Sequence, residues 1–108
     1  VGHTGDLAAA ISAVETVDAC IGTLEEALRQ GDGQMLLTAD HGNCEMMWDA
    51  AASSPHTAHT NNLVPLVLVN GPQGVGVADG RLADLAPSLL VMLGLSQPPE
   101  MTGKSLLR

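Results

Sequence analysis

The chain has 108 residues, with twelve acids against four bases and a formal charge of −8, which argues against a nucleic-acid surface because phosphate backbones need clustered Lys and Arg. Hydrophobic residues make up 45%, yet Phe and Tyr are absent and Trp48 is the only aromatic, so a core has to be built from Leu, Val, Ile, Ala and Met. This length allows one small domain at most, and a start at Val1 rather than Met suggests a piece of something longer.

Val1-Gly2-His3-Thr4-Gly5 is a glycine-bracketed turn. After it Leu7, Ile11, Val14, Ile21, Leu24 and Leu28 recur at helical spacing, which predicts one amphipathic helix from about Asp6 to Gln30. Thr4 or Asp6 can cap its start, and Gly31-Asp32-Gly33 stops it. His3 then stands just ahead of a helix N-terminus, where the dipole disfavours a protonated ring and leaves the neutral imidazole that a metal needs. The plainer reading is an exposed turn residue.

Met35-Leu36-Leu37-Thr38 reads as a buried strand, and Asp40-His41-Gly42-Asn43 follows at its C-terminal tip, where α/β proteins place chemistry. Carboxylate and imidazole side by side suit a divalent metal, and Gly42 lets the backbone turn without a Cβ in the way. Taken alone, the triplet also fits an ordinary turn. Glu45 to Ala52 reads as a short helical or irregular passage, and Ser53-Ser54-Pro55 as a surface loop. His56-Thr57-Ala58-His59-Thr60 puts two imidazoles in four residues, flanked by threonines whose hydroxyls could orient a ligand's second nitrogen.

Val64 to Val69 is a nearly unbroken apolar strand expected to be largely buried, with Pro65 near its start. The glycines from Gly71 to Gly80 miss the dinucleotide-binding spacing and make a flexible connection. Arg81 to Leu95 predicts a second helix with Leu82, Leu85, Leu89, Leu90 and Leu93 inward, Pro87 in the first turn and Gly94 as the stop. Thr102-Gly103-Lys104-Ser105 imitates the end of a phosphate-binding loop, but Pro98 occupies the required earlier glycine position, so no nucleotide site is expected. Cys20 and Cys44 have no zinc-motif spacing and imply a reduced, cytoplasmic setting without a disulfide. Cys44 reads as a small buried thiol rather than a redox-sensitive one, and Met46, Met47 and Trp48 as packing. No apolar run approaches the roughly 20 residues of a membrane span, so no membrane contact is expected.

Helix, strand, loop, strand, helix implies a layered α/β architecture with helices covering a sheet. In such a layer His3, Asp40, His41 and His59 fall at the ends of neighbouring elements along one sheet edge. One Asp with several His suits Mn²⁺ or Zn²⁺, and two such ions can clamp a transferring phosphoryl group.

Four blocks in order, Val1-Gly2-His3-Thr4-Gly5, Thr38-Ala39-Asp40-His41-Gly42-Asn43, His56-Thr57-Ala58-His59-Thr60 and Met101-Thr102-Gly103-Lys104-Ser105-Leu106, resemble the C-terminal end of the cofactor-independent phosphoglycerate mutases of the alkaline phosphatase superfamily. The resemblance implies that residues 1–108 are a C-terminal fragment of an alkaline-phosphatase-like, metal-binding domain. It implies that His3 and His59 bind one ion and Asp40 and His41 another. The ions implied are Mn²⁺, with Zn²⁺ as the alternative, and 2,3-bisphosphoglycerate is not needed. The parent would be a cytoplasmic, monomeric enzyme of glycolysis and gluconeogenesis that interconverts 3- and 2-phosphoglycerate through a phosphoserine. In the family that serine and the basic residues gripping substrate lie upstream, as does an Asp just ahead of Val1, so no catalytic nucleophile is expected here and the fragment alone should be inactive. His56 matches a less constrained loop position, and Leu63 replaces a proline common after the His-rich block. The competing readings are another enzyme of the superfamily, such as a phosphopentomutase or a phosphodiesterase, and a non-catalytic metal-binding module.

Overall fold

The computed structural model describes all of residues 1–108. Helix α1 (Leu7–Gln30) starts where Asp6, in extended conformation, accepts the Ala9 N–H at 3.0 Å, and it ends where Gly31 N–H closes on the Ala27 carbonyl at 3.1 Å. Strand β1 (Met35–Thr38) pairs antiparallel with β4 (Leu66–Val69), Met35 opposite Val69 and Thr38 opposite Leu66. That register sends the chain leaving β1 back along the segment that enters β4. A single further bridge, Gly42 with Thr60, continues the pairing beyond the strands.

The passage between them departs from expectation. Instead of a helical stretch and a free loop, β2 (Trp48–Asp49) and β3 (Ser54–Pro55) form a small hairpin. Asp49 drives it: its Oδ1 accepts the N–H groups of Ala51 and Ala52 at 2.9 and 3.1 Å, and Ser53 takes a left-handed conformation to complete the reversal. Trp48, expected to pack, is mostly exposed.

Helix α2 (Leu85–Met92) is shorter than the predicted Arg81 to Leu95, because residues Leu82–Asp84 wind more tightly as a 3₁₀ turn and Gly94 turns left-handed at φ 67°. Its buried face is also not the leucine face. Leu82, Leu89 and Leu93 are exposed, whereas Asp84, Pro87 and Ser88 are buried. These residues hold the C-terminal tail. Asp84 Oδ1 accepts the Lys104 N–H at 2.9 Å, its Oδ2 accepts the Arg81 N–H at 3.0 Å, and the Ser88 hydroxyl donates to the Asp84 carbonyl at 2.7 Å while accepting the Leu106 N–H at 2.9 Å. The Lys104 backbone N–H, then that of Arg81 and its guanidinium, hold the Asp84 carboxyl below its usual range. Gly103 is required here, since a Cβ would come within 2.8 Å of the Ala83 carbonyl carbon. The phosphate-loop-like tail is therefore a structural clasp.

The chain belongs to the α/β class, but a two-stranded sheet gives its helices little to cover. Only 8 of 108 residues are buried, and Val67 of the strand expected to be interior is exposed. The accessible surface is 7438 Å², against about 5,700 Å² for a compact monomer of this mass. The radius of gyration is 16.9 Å, against about 13 Å for a compact domain of this length. On α1, Ala10 alone is buried. By length and composition α1 is also long and apolar enough to cross a membrane, contrary to the expectation that no segment is.

Candidate metal centre

The antiparallel register and the Gly42–Thr60 bridge decide which side chains meet. Asp40 and His41 leave the tip of β1, His59 sits one residue before the bridge partner Thr60, and His3 lies in the 3₁₀ turn (Gly2–Thr4) before α1. The three imidazoles converge: His41 and His59 stack with ring centroids 3.6 Å apart and planes inclined 21°, and the His3 ring centroid is 4.9 Å from that of His59.

Their tautomers follow from their hydrogen bonds. His3 Nδ1 lies 2.7 Å from the Thr57 carbonyl oxygen and His41 Nδ1 lies 3.1 Å from that of Gly42. A carbonyl only accepts, so in the neutral form of both rings Nδ1 carries the proton and Nε2 the lone pair. His3 Nε2 faces His59 Nε2 at 3.2 Å, and His41 Nε2 faces Asp40 Oδ1 at 3.6 Å. A proton on His59 Nε2 makes the first pair a hydrogen bond. Two donors bound about 2.1 Å from one tetrahedral ion stand about 3.4 Å apart, so each pair also has the bite of two ligands sharing a divalent cation. No three His, Cys, Asp or Glu side chains converge on a single ion position, so the pairs remain pairs.

The four predicted ligand positions are thus neighbours, and the remaining candidates fall away from them. His56 donates its backbone N–H to the Met47 carbonyl at 3.0 Å, and its ring Nδ1 is buried without a partner. Cys44, expected to be buried, is exposed and donates to Asn43 Oδ1 at 3.3 Å, and both cysteines are free. The threonines act differently from expectation: Thr57 orients His3 through its carbonyl, and the Thr60 hydroxyl is spent on Glu45.

Glu45 is the residue that sequence reasoning missed. One of its oxygens accepts the Asn43 N–H at 2.5 Å; the other accepts the Thr60 hydroxyl and the Asn62 side-chain amide, the latter at 3.0 Å. The Thr60 hydroxyl, with the Asn43 N–H and Asn62 behind it, holds the carboxyl at about 2 instead of 4.5, against a partial desolvation that pushes it up. Asp40, His41, Thr60 and Arg81 also line an open cleft of about 760 Å³. The Arg81 guanidinium is already engaged, Nε standing 3.7 Å from Asp84 Oδ1.

A family model described as the metalloenzyme superfamily matches residues 1–97. The chain belongs to the metalloenzyme superfamily. Among curated relatives of this superfamily member, it is 61% identical over 107 residues to the 2,3-bisphosphoglycerate-independent phosphoglycerate mutase of Ruegeria sp. (strain TM1040). It is 60% identical over 109 residues to the protein of that name in Rhodopseudomonas palustris (strain ATCC BAA-98 / CGA009) and 57% identical over 107 residues to that in Agrobacterium fabrum (strain C58 / ATCC 33970). Each alignment covers 99% of this chain and 21% of the relative, so the chain spans about a fifth of the length of the relatives it matches. The resemblance carried by the four sequence blocks is to mutases of this same name.

Proposed function

We propose that this chain is the C-terminal part of the metal-binding domain of a cofactor-independent phosphoglycerate mutase. The enzyme is a cytoplasmic monomer of glycolysis and gluconeogenesis that interconverts 3- and 2-phosphoglycerate. The pairing of donors supports this most directly: His3 with His59 at 3.2 Å, and Asp40 with His41 at 3.6 Å, each at a separation suited to one shared cation. The ions are Mn²⁺, with Zn²⁺ as the alternative, because mixed carboxylate and imidazole donors suit both. When bound, two such ions neutralise phosphoryl oxygens and lower the pKa of an attacking hydroxyl.

The residues of this chain supply orientation. The Thr57 and Gly42 carbonyls select the tautomer of neutral His3 and His41 in which Nε2 is the nitrogen left to bind a cation. Asp40, largely exposed, brings the negative charge that favours a divalent ion over a proton. The remaining ligands and the phosphorylated serine come from elsewhere in the parent, and this chain alone does not convert 3-phosphoglycerate. Its surface excess, about 1,700 Å² over a compact monomer, is about twice one partner's share of a standard protein interface and fits docking against the rest of such a domain. The apolar face of α1 belongs to that docking rather than to a membrane, since Glu15 and Asp18 lie midway along the helix.

A chimera tests the reading. The matching segment of the Agrobacterium fabrum relative is replaced with these 108 residues. Mutase activity without added 2,3-bisphosphoglycerate is expected to persist, and Asp40→Asn or His59→Ala is expected to abolish it with loss of bound metal. A folded chimera that holds its metal and fails to interconvert the phosphoglycerates refutes the proposal.

A further inference from the structure

One carboxylate ties together the two loops that carry the candidate ligands. Glu45 lies four residues after His41, yet it reaches across to the loop that follows His59: through one oxygen to its own turn at Asn43, through the other to Thr60 and Asn62. All three partners are donors, namely a backbone N–H, a hydroxyl and a side-chain amide, which is the demand that an acceptor-only carboxylate meets and a neutral amide cannot. Gly42 leaves room for this reach. A Cβ there would press on Thr60 Oγ1 and come within 2.9 Å of the Glu45 carboxyl carbon. The backbone supplies one parallel tie, the Thr60 N–H to the Gly42 carbonyl at 2.9 Å, and Asn43 adds another, its amide donating to the Ala58 carbonyl at 3.3 Å. The product of these ties is the face-to-face contact of His41 with His59, whose centroids are 3.6 Å apart although 18 positions separate them in sequence.

We propose that Glu45 is a positioning residue that clamps the Asp40-His41 turn to the His59 loop, setting the spacing between the two candidate ligand pairs. The proposal rests on the reading of His3, Asp40, His41 and His59 as ligands. The Glu45 carboxylate is taken up by Asn43, Thr60 and Asn62, so it acts through the two loops. Outer partners of metal-binding side chains are worth about 10–100-fold in metal affinity. Losing the clamp therefore weakens Zn²⁺ binding by about tenfold or more, without unfolding a chain whose tail clasp lies elsewhere.

The test uses the whole chain and Glu45→Gln, which keeps the shape and turns an NH₂ toward a donor. The imidazole proton shifts of His41 and His59 are read by NMR without metal, and Zn²⁺ affinity is read by calorimetry. In the wild-type chain the stacked rings are expected to shift each other's protons upfield. In Glu45→Gln that shift is lost and the Zn²⁺ affinity falls, while the far-ultraviolet circular dichroism stays unchanged. Thr60→Val removes one donor of the clamp and is expected to produce the same change, so it serves if the glutamine variant fails to fold. Asp84→Asn, which disturbs only the tail, is the control expected to lower thermal stability and leave both imidazoles unmoved. Unchanged ring shifts in Glu45→Gln and in Thr60→Val overturn the inference, whatever happens to the metal. Loss of the stack in a chain that never bound Zn²⁺ upholds the clamp and counts against the ligand reading instead.

Discussion

Ser88→Ala is the sharpest probe of how the tail is held. Ser88 is fully buried, and its hydroxyl both donates to the Asp84 carbonyl at 2.7 Å and accepts the Leu106 N–H at 2.9 Å. Alanine fits the space, so no overpacking accompanies the change. What is lost is one net hydrogen bond, worth about 1 kcal/mol, and what is left is a Leu106 N–H facing an apolar methyl, costing about 1–2 kcal/mol more. The Asp84 carbonyl sits in a helical turn and retains a second route to satisfaction, so the expected total is about 2–3 kcal/mol. Unfolding entropy near 2.1 cal/mol/K per residue turns this into a fall of about 9–13 °C in thermal midpoint for a chain of this size. Circular dichroism melting measures the midpoint, and hydrogen exchange at the Leu106 amide gives the local readout, with protection falling by a factor of about 30 or more if that amide opens with the loss. A midpoint within about 3 °C of wild type with an equally protected Leu106 amide would show that the tail is held without the Ser88 hydroxyl, by Asp84 on Lys104 and by the backbone bonds of Gly76 with Arg108 and of Ala78 with Leu106.

Three further outcomes are expected. His59→Ala removes a donor from the His3 pair and the ring stacked on His41, and should weaken Zn²⁺ binding by at least about tenfold in calorimetry, whereas His56→Ala, outside the cluster, should leave it within about twofold. Glu45 titrates at about 2 in the folded chain against an ordinary 4.5; a depressed carboxyl stabilises fully above the unfolded value and loses that contribution as pH falls from 4.5 toward 2. A side-chain carboxyl ¹³C titration checks it, and a Glu45 midpoint near 4.5 would contradict the clasp seen with Thr60. Val14, 53% exposed on α1, should tolerate Val14→Asp at a cost under about 0.5 kcal/mol in the isolated chain, and a larger fall in thermal midpoint would mean that the α1 face is covered in solution.

The sequence showed best what is decided locally. Asp6 before a run of helical periodicity and Gly31 after it fixed α1 to within a residue, and Met35–Thr38 was legible as a strand because an apolar run stops abruptly at Ala39-Asp40. Asp49 gave no such signal, since an Asp followed by two alanines suits a helix start as well as the Asx turn it makes with Ala51 and Ala52. The leucines of α2 misled for a different reason. Periodicity identifies a face that seeks apolar company, and here that company is not within the chain, so Asp84 and Ser88 are covered by the tail while Leu89 and Leu93 face outward. The same cause exposes Val67 and the α1 face. Of the candidate centre, His3, Asp40, His41 and His59 were visible as unusual side chains at element ends. Glu45 was not, because its partners Asn43, Thr60 and Asn62 meet it only after the Gly42–Thr60 bridge folds one loop onto another.

The contrast between a sparse core and a well-specified cluster has a physical logic. Burial needs a large surface closed on all sides, and two α-helices with two separate two-stranded sheets do not enclose it here. The imidazoles need much less: two carbonyls to set tautomers, one antiparallel register to align β1 with the segment entering β4, and one carboxylate accepting from three donors. Each of those interactions is directional and short in range, so a chain that leaves about 1,700 Å² of excess surface open still brings three histidines together. Docking that surface against further structure would supply the closure that the chain lacks and leave the bonds around His3, His41 and His59 as they stand. The spacing within the two candidate pairs is consequently a property of these residues, and on the proposed reading the rest of a mutase would complete each coordination sphere.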